Sequence, residues 1–588
     1  MQSEKQAFDV RARSGDGSGR TRREEALAEE ITCDLLVAGS GAAGLAAAVV
    51  AAHRGLRVVV AEKADVIGGT TAWSGGWIWA PGNPVCAAGG VAEEPGAAQA
   101  YLEAVQGNAF NAELVDTFLK AAPEMVGFFE RETALQFEPG LKIPDTYSHL
   151  PGAGKGGRSV IAKPYEAKGL GAALKLLRRP MRETSFMGMT IQAGPDLRAF
   201  MTVLRARRSA LYVARRMARH LWDLARHGRG MQLRNGNALV ARLMRSALDR
   251  GVELRTGHAL EGLLTEAGAV VGARLAVSSG EVTVKARRGV VLACGGYPHD
   301  TARRAATFPR PETHAALAVP EATGDGLRAG EAAGGRQTEA LAGPAALCPV
   351  SEVRWPGGTR GTFPHIIDRG KPGVIGVLAN GQRFCNEGLG YHDYVTALLA
   401  ATPEDATPES WLICDHRFIR RYGLGITRPA PLPLRPWLRA RYLTRGATPE
   451  ALARACGIDP AGLAATIAAF NESAACGEDP AFHRGTTPYM RLQGDPDHGP
   501  NPCVAPLARA PFYAVRVIPG SFGTFAGLVT DGAARVLGPE GQPVPGLYAA
   551  GTDMASVMGG HYPAGGINLG PALTFGFIAG RHASGEQP

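Results

Sequence analysis

Near its C-terminal end the chain reads Gly559-Gly560-His561-Tyr562-Pro563-Ala564-Gly565-Gly566 and runs on to Leu569-Gly570-Pro571. One phenol stands among glycines that let a backbone approach a ligand closely. A tyrosine hydroxyl and a nearby backbone N–H can together grip a carbonyl oxygen and hold the negative charge that develops there. Glycine-rich turns are common, so this segment gains force only from what lies elsewhere in the chain.

The element that must position it is announced at the other end. Cys33-Asp34-Leu35-Leu36-Val37-Ala38 reads as a short apolar strand, and Gly39-Ser40-Gly41-Ala42-Ala43-Gly44-Leu45 follows as Gly-x-Gly-x-x-Gly opening a small-residue helix. Gly39 suits the tight turn, Gly41 the close approach of a pyrophosphate, and Gly44 the packing of helix on strand, with Ala43 inside the loop. The phosphates then sit on the helix N-terminus, where free N–H groups and the helix dipole favour an anion. A second strand from 56 to 60 ends at Glu62-Lys63, where the acid is placed to accept from ribose hydroxyls and disfavours a 2′-phosphate. Strand, glycines, helix, strand and acid in this order predict a dinucleotide site.

Gly68-Gly69-Thr70-Thr71-Ala72-Trp73-Ser74-Gly75-Gly76 follows Glu62 closely and resembles the matching segment of flavoproteins of the fumarate reductase superfamily. Val290-Val291-Leu292-Ala293-Cys294-Gly295-Gly296 is similar to their second strand-to-glycine signature. Gly546-Leu547-Tyr548-Ala549-Ala550-Gly551-Thr552-Asp553 is similar to their late flavin-contacting strand. The resemblance implies FAD held by these segments together with Asn568 and Leu569. It also implies non-covalent FAD, since no histidine stands between Gly69 and Gly76 where covalently linked relatives attach the flavin.

With 588 residues, 45% of them apolar, the chain can bury a large core and form at least two domains. Residues 1–30 read as a mobile leader. Its Arg22-Arg23 pair invites a twin-arginine export reading, but Glu24, Glu25, Glu29 and Glu30 stand where an apolar signal core belongs. No apolar run reaches transmembrane length. Nine cysteines without a paired framework fit reduced thiols and a cytoplasmic protein, and the scattered histidines suggest no metal site. Cys294 and Cys385 read as buried small side chains.

The net charge of +9 is unevenly spread: between Asp196 and Arg229 nine arginines face two aspartates. Leu197, Phe200, Met201, Leu204, Leu211, Met217, Leu221 and Leu224 recur among them at roughly helical spacing, predicting one or two basic amphipathic helices. A solvated surface element is the simple reading; a dock on anionic lipid, at the inner membrane face, is the sharper one. Nucleic-acid binding is disfavoured because the charge is local and no recognition module accompanies it.

The expected fold is α/β: a Rossmann-like FAD-binding domain, parallel sheet plus β-meander, interrupted by an α+β catalytic cap domain. Residues 31–345 form its first part, with a basic helical insertion about 170–230. The cap spans 346–520, and 521–588 returns to complete the nucleotide site. A helix opening at Asn235, a strand at 251–254 and a meander over 260–292 are expected within the first part.

From 31 to 588 the sequence resembles the 3-ketosteroid Δ1-dehydrogenases, apart from the long basic helices. Tyr562-Pro563-Ala564-Gly565-Gly566 is similar to their Tyr-Pro-Gly-x-Gly segment, which implies that the Tyr562 hydroxyl and the Gly566 N–H bind the steroid C3 carbonyl. Asn386-Glu387-Gly388-Leu389-Gly390-Tyr391 is similar to the segment whose tyrosine removes the C2 proton. Asp145-Thr146-Tyr147, ahead of Pro151-Gly152 and Gly157-Arg158-Ser159, resembles the stretch bearing a supporting tyrosine. The resemblance implies C1–C2 desaturation of ring A, with proton to Tyr391 and hydride to flavin N5. The electrons would pass on to a quinone or other acceptor. An unperturbed phenol has a pKa of about 10, so a value lowered by Tyr147 or by nearby positive potential is expected at Tyr391. His561 reads as a pocket wall. Ala564, in place of the first glycine, loosens the expected substrate from a steroid to a hydrophobic cyclic ketone. A ketosteroid Δ4-(5α)-dehydrogenase and an alkene reductase like fumarate reductase stay as alternatives, although Asn568 stands where the latter carries its substrate-binding arginine. The non-enzyme alternative is a flavin-loaded membrane-surface binding protein.

Overall fold

The computed structural model describes residues 29–338 and 341–586. The Arg22-Arg23 pair and residues 1–28 of the expected leader lie outside the described residues. Glu29 and Glu30, assigned to that leader, instead begin a strand, Glu29–Cys33, that pairs in parallel with Gly280–Ala286. Charged side chains do not prevent this, because the strand adds to the edge of a sheet and leaves both glutamates in solvent.

The dinucleotide half is built on a six-stranded sheet. Its order is Arg535–Leu537, Pro543–Ala549, Val290–Leu292, Leu35–Ala38, Val58–Glu62 and Glu253–Thr256. All neighbours pair in parallel except the antiparallel edge Arg535–Leu537. The central strands are wholly buried, as a parallel sheet covered on both faces requires, which is why their sequences run apolar without alternation. Ala259–Glu266, Ala269–Val277 and Gly280–Ala286 form the meander beside it. The helix Ala42–His53 is buried from Ala42 to Ala51 and packs against the C-terminal helix Leu569–Ala583 and the helix Asn235–Asp249. The two distant chain ends therefore meet at one helix.

The second large sheet has the order Arg360–Pro364, Ala345–Arg354, Phe512–Thr524, Ser410–Cys414 and Val374–Val377. Its two faces bury separate clusters: Ile375, Ile413 and Ala514 on one, Val374, Leu412, Cys414 and Val515 on the other. This follows from the period-two alternation of strand side chains. The expected limits of the cap shift at both ends. Ala315–Ala316 pairs onto this sheet from ahead of 346, and the central strand runs past 520 to Thr524. The strand that leads back to the flavin half is thus itself the spine of the cap sheet.

Residues 170–230 hold two helices, Pro195–Met201 and Arg207–His227. The longer one is turned inside out. It buries Arg216 (6% exposed), His220 and Asp223, and it exposes Leu211 (65%) and Trp222 (69%). Arg216 and the Tyr212 hydroxyl both bond Asp196, so part of the local charge is satisfied internally. Among the described residues no helix is long and apolar enough to cross a membrane, and no group of His, Cys, Asp and Glu could hold a metal.

Candidate active site

The loop Gly39–Gly44 shows which glycines the protein needs and which a ligand needs. A Cβ on Gly39 would meet the Ala293 carbonyl oxygen at 2.1 Å, and one on Gly44 would meet the Gly39 oxygen at 2.0 Å. Both are fixed by packing. Around a Cβ on Gly41 the nearest atom is Thr71 Oγ1 at 3.5 Å, and around Gly75 and Gly565 nothing lies within 4 Å. The bare backbone at these positions faces open space that a bound group can fill. Gly41 caps the helix without a side chain, and the Ala42 N–H donates to Thr71 Oγ1 at 3.0 Å. Glu62 closes the adjacent strand, buried, with the Ser40 N–H (3.1 Å) and Ser40 hydroxyl on one oxygen and the Ala64 N–H (2.9 Å) on the other. Asp553 is fully buried and accepts from the N–H groups of Cys294 (2.5 Å) and Gly296 (2.8 Å), tying the two glycine signatures together. Burial raises its carboxyl to about 6 against the pull of those N–H groups.

A cavity lies between Gly551–Thr552 and Ile567–Asn568, where the late strand meets the C-terminal helix. Thr70 Oγ1 accepts from the Val319 N–H, and Ser74 Oγ donates to Thr71 O and accepts from the Gly76 N–H, so these residues shape the loop. Gly69 and Gly295 both have positive φ. Lys63 is engaged with Asp325 (2.9 Å) and Thr323 (2.7 Å). Leu569 begins the C-terminal helix, and Asn568 precedes it. A charged helix end, a ribose-seeking acid and uncrowded glycines fit FAD, and these residues would hold its pyrophosphate, ribose and ring system.

Next to this cradle the structure brings two of the three expected tyrosines together. The rings of Tyr391 and Tyr562 meet edge to face with centroids 4.8 Å apart, and both residues are buried. Asn568 Nδ2 donates to the Tyr562 hydroxyl at 3.4 Å, which links the phenol to the cofactor side. Phe522 packs on Tyr391 at 5.4 Å, while Phe525 and His392 flank Tyr562. Gly566 sits at φ 104°, and its oxygen accepts from the Trp79 N–H at 3.1 Å. Its own N–H has no partner among the described residues, so a donor stays free four residues after Tyr562.

Tyr147 reaches the site differently. Its hydroxyl donates to Asp393 Oδ1 at 2.7 Å, and Asp393 lies two residues beyond Tyr391 on the helix Tyr391–Ala401. The segment is also sewn to the Tyr562 loop: Thr146 N–H and Tyr101 hydroxyl both donate to Pro563 O, at 2.8 and 2.6 Å. Asp145 anchors it below, accepting from Arg158 (2.5 Å), Trp79 Nε1 (2.9 Å) and Gly154 N–H (2.8 Å).

The expectation of a lowered phenol pKa at Tyr391 is overturned. Burial pushes Tyr391 well above the ordinary tyrosine range, and the neighbouring Tyr562 adds to the rise. Tyr562 is raised too, by burial, with Tyr391 opposing. Burial and then Asp393 raise Tyr147. The positive potential exists but falls elsewhere: Arg369 opposes the burial of Tyr489, whose phenol is pushed up to about 12, and of Asp393. Three residues were missed from sequence. Tyr489 acts electrostatically on Tyr391, Tyr562 and Tyr147, yet stands about seventy residues from the nearest of them and carries no motif. His392 takes the Leu347 N–H on Nδ1 at 3.2 Å, and burial lowers it to about 4. Asp393 carried a signal, its closeness to Tyr391.

Nucleotide cradle and buried phenol pair together define a FAD-dependent oxidoreductase acting on a CH–CH bond beside a carbonyl. The FAD binding domain family model matches residues 34–569. The chain is 41% identical to the 4-oxocyclohex-2-ene-1-carboxylate 5-dehydrogenase of Sinomonas cyclohexanicum, covering 94% of this chain and 93% of that protein. It is 34% identical to the 3-oxosteroid 1-dehydrogenase of Mycobacterium tuberculosis, over 94% and 98%. Among solved structures, the 3-ketosteroid Δ1-dehydrogenase of Sterolibacterium denitrificans, in complex with 1,4-androstadiene-3,17-dione, matches with a TM-score of 0.86 at 34% identity, over 94% and 99%. The chain belongs to the 3-ketosteroid Δ1-dehydrogenase family of FAD-binding flavoproteins.

Proposed function

We propose that the protein introduces a double bond beside the carbonyl of a six-membered cyclic ketone, at C1–C2 of ring A in a 3-ketosteroid. The observation that carries this is the edge-to-face pair Tyr391–Tyr562, buried beside the free Gly566 N–H and the cofactor cradle. Tyr562 and Gly566 hold the ketone oxygen, which makes the α-proton acidic enough to remove. Tyr391 takes that proton. FAD, when bound, supplies two-electron acceptance of the hydride from the neighbouring carbon. Phe522, Phe525 and the ring faces of the two tyrosines exclude water from the reacting carbons.

Mixing the FAD-loaded protein anaerobically with 4-androstene-3,17-dione tests the reading, and loss of flavin absorbance is the expected result. Tyr562→Phe, which removes one oxygen-holding donor, slows that bleaching by about 10²–10³-fold. A flavin that stays oxidised with a broad steroid panel rejects the steroid. A second reading rests on Ala564, buried in the clamp, and on the relative named for 4-oxocyclohex-2-ene-1-carboxylate. Bleaching by that keto acid in place of the steroid selects it.

The inside-out helix supports a peripheral dock on anionic lipid. Leu211, Arg215, Trp222 and Arg226 recur on one helical face, and Leu204 and Leu221 extend the exposed apolar surface. Apolar anchors ringed by arginines suit a negatively charged bilayer surface, where hydrophobic ketones and a quinone acceptor both concentrate. Vesicles containing phosphatidylserine will sediment wild type, and Trp222→Glu with Arg215→Glu will weaken sedimentation at least about tenfold, since each basic residue near such a surface contributes about 1 kcal/mol. Equal sedimentation of both forms rejects the dock.

A further inference from the structure

Each turnover of the proposed reaction leaves the site with one proton to discard. Two neutral phenols can move a proton, but they cannot store one. Burial holds both Tyr391 and Tyr562 in the neutral form, so the proton needs an acceptor outside the pair. Asp393 is the carboxylate that meets a phenol of the site directly, through the 2.7 Å bond from Tyr147. It stands in the first turn of the helix that begins with Tyr391. Its Oδ2 is buried against the Gly390 main chain without a well-formed hydrogen bond, although the residue as a whole is partly exposed. An acceptor oxygen is therefore held in reserve on the carboxyl group that meets Tyr147.

We propose that Asp393, acting through Tyr147, is the terminal acceptor of the proton that the site removes from its substrate. This rests on the proposed ketone dehydrogenation. The substrate C–H bond breaks, its electron pair entering the enolate and its proton joining the Tyr391 oxygen. The Tyr391 hydroxyl proton passes to the Tyr147 oxygen as Tyr147 gives its own proton to Asp393. The second hydrogen leaves as hydride by the FAD chemistry already stated, so the substrate loses one proton and one hydride in all. Asp393 is faced by Tyr147, Tyr101 and Tyr489, by the Arg369 guanidinium and by the head of its own helix. Arg369 donates only to the main-chain oxygens of His365, Glu387 and Leu389, so its charge is free to favour the ionised carboxylate. Burial outweighs that help and leaves the carboxyl above the ordinary aspartate range, which suits a transient proton store.

Two measurements on the FAD-loaded protein test the assignment. An infrared pH titration of wild type will show a carboxylic-acid band that D393N lacks and D393E restores. In stopped-flow mixing with 4-androstene-3,17-dione, D393N will bind steroid as wild type does but reduce its flavin at least about tenfold more slowly. Wild-type rates will fall as pH drops through the Asp393 pKa, because the acceptor fills. D393N will lack this acidic limb, and D393E will recover it. A D393N protein that is slow with its acidic limb intact, or as fast as wild type, overturns the proposal. So does a titration with no band assignable to Asp393. If wild type itself leaves flavin oxidised, the steroid reading fails, and the infrared titration still decides the role of Asp393.

Discussion

Tyr391→Phe will slow flavin reduction by about 10²–10⁴-fold, the range a positioned proton acceptor supplies. The ring stays, so the edge-to-face contact with Tyr562 and the packing on Phe522 survive, and substrate affinity changes little. Only the oxygen that receives the proton is lost. Stopped-flow flavin absorbance, with steroid affinity read from spectral perturbation, separates the two effects. Equal losses in affinity and rate would mean that the hydroxyl merely binds substrate. A rate within about threefold of wild type would remove Tyr391 from the proton step altogether.

Glu387→Ala will destabilise the protein by about 3–5 kcal/mol. The Glu387 carboxylate is fully buried between Arg383 (2.7 Å) and Arg484 (3.2 Å) and also accepts the Gly376 N–H at 2.9 Å. Arg383 keeps Asp479 as a second partner, but Arg484 keeps only the carbonyls of Val374, Arg369 and Lys371. Truncation thus leaves a buried cation without an anion, and chemical denaturation will show the deficit as a lowered midpoint. Burial would raise this carboxyl, yet Arg383 and Arg484 hold it below the ordinary glutamate value of about 4.3. Its stabilisation is therefore present above that value and is lost as pH falls through the lower native one. The wild-type advantage over the variant will shrink in acid. A midpoint unchanged at neutral pH would contradict the network. Because Asn386–Leu389 leads directly into the helix of Tyr391, flavin reduction will fall along with stability.

The nucleotide half was legible because its determinants are local. A parallel strand buried on both faces must be written as an apolar run, and a backbone packed against a carbonyl at about 2 Å must be glycine. Leu35–Ala38, Gly39, Gly44 and Glu62 each declare themselves within a few residues. The helix at Asn235 and the meander over 259–286 followed from patterning in the same way. Tyr562 and Tyr391 were picked out by the resemblance of their short segments to those of a known family.

What the residues alone could not convey is what faces what. The order of side chains along Arg207–His227 reads as an amphipathic helix, but only packing against Asp196 and the preceding turns decides that Arg216 turns inward and Trp222 outward. Glu387 stands in a segment that looks functional, yet the structure pairs it with Arg383, four residues before it, and with Arg484 from far along the chain. Tyr489 joins the electrostatics of the site from about seventy residues of sequence away. The phenol pKa values were likewise beyond sequence reasoning, because desolvation depends on every group around a hydroxyl. From sequence alone come the dinucleotide site, encoded by short-range sterics, and, through resemblance to a known family, the cofactor and the class of reaction. Tertiary structure alone decides the environment of the phenols and the carboxylate behind Tyr147, because burial and charge are sums over residues that the chain brings together only when folded.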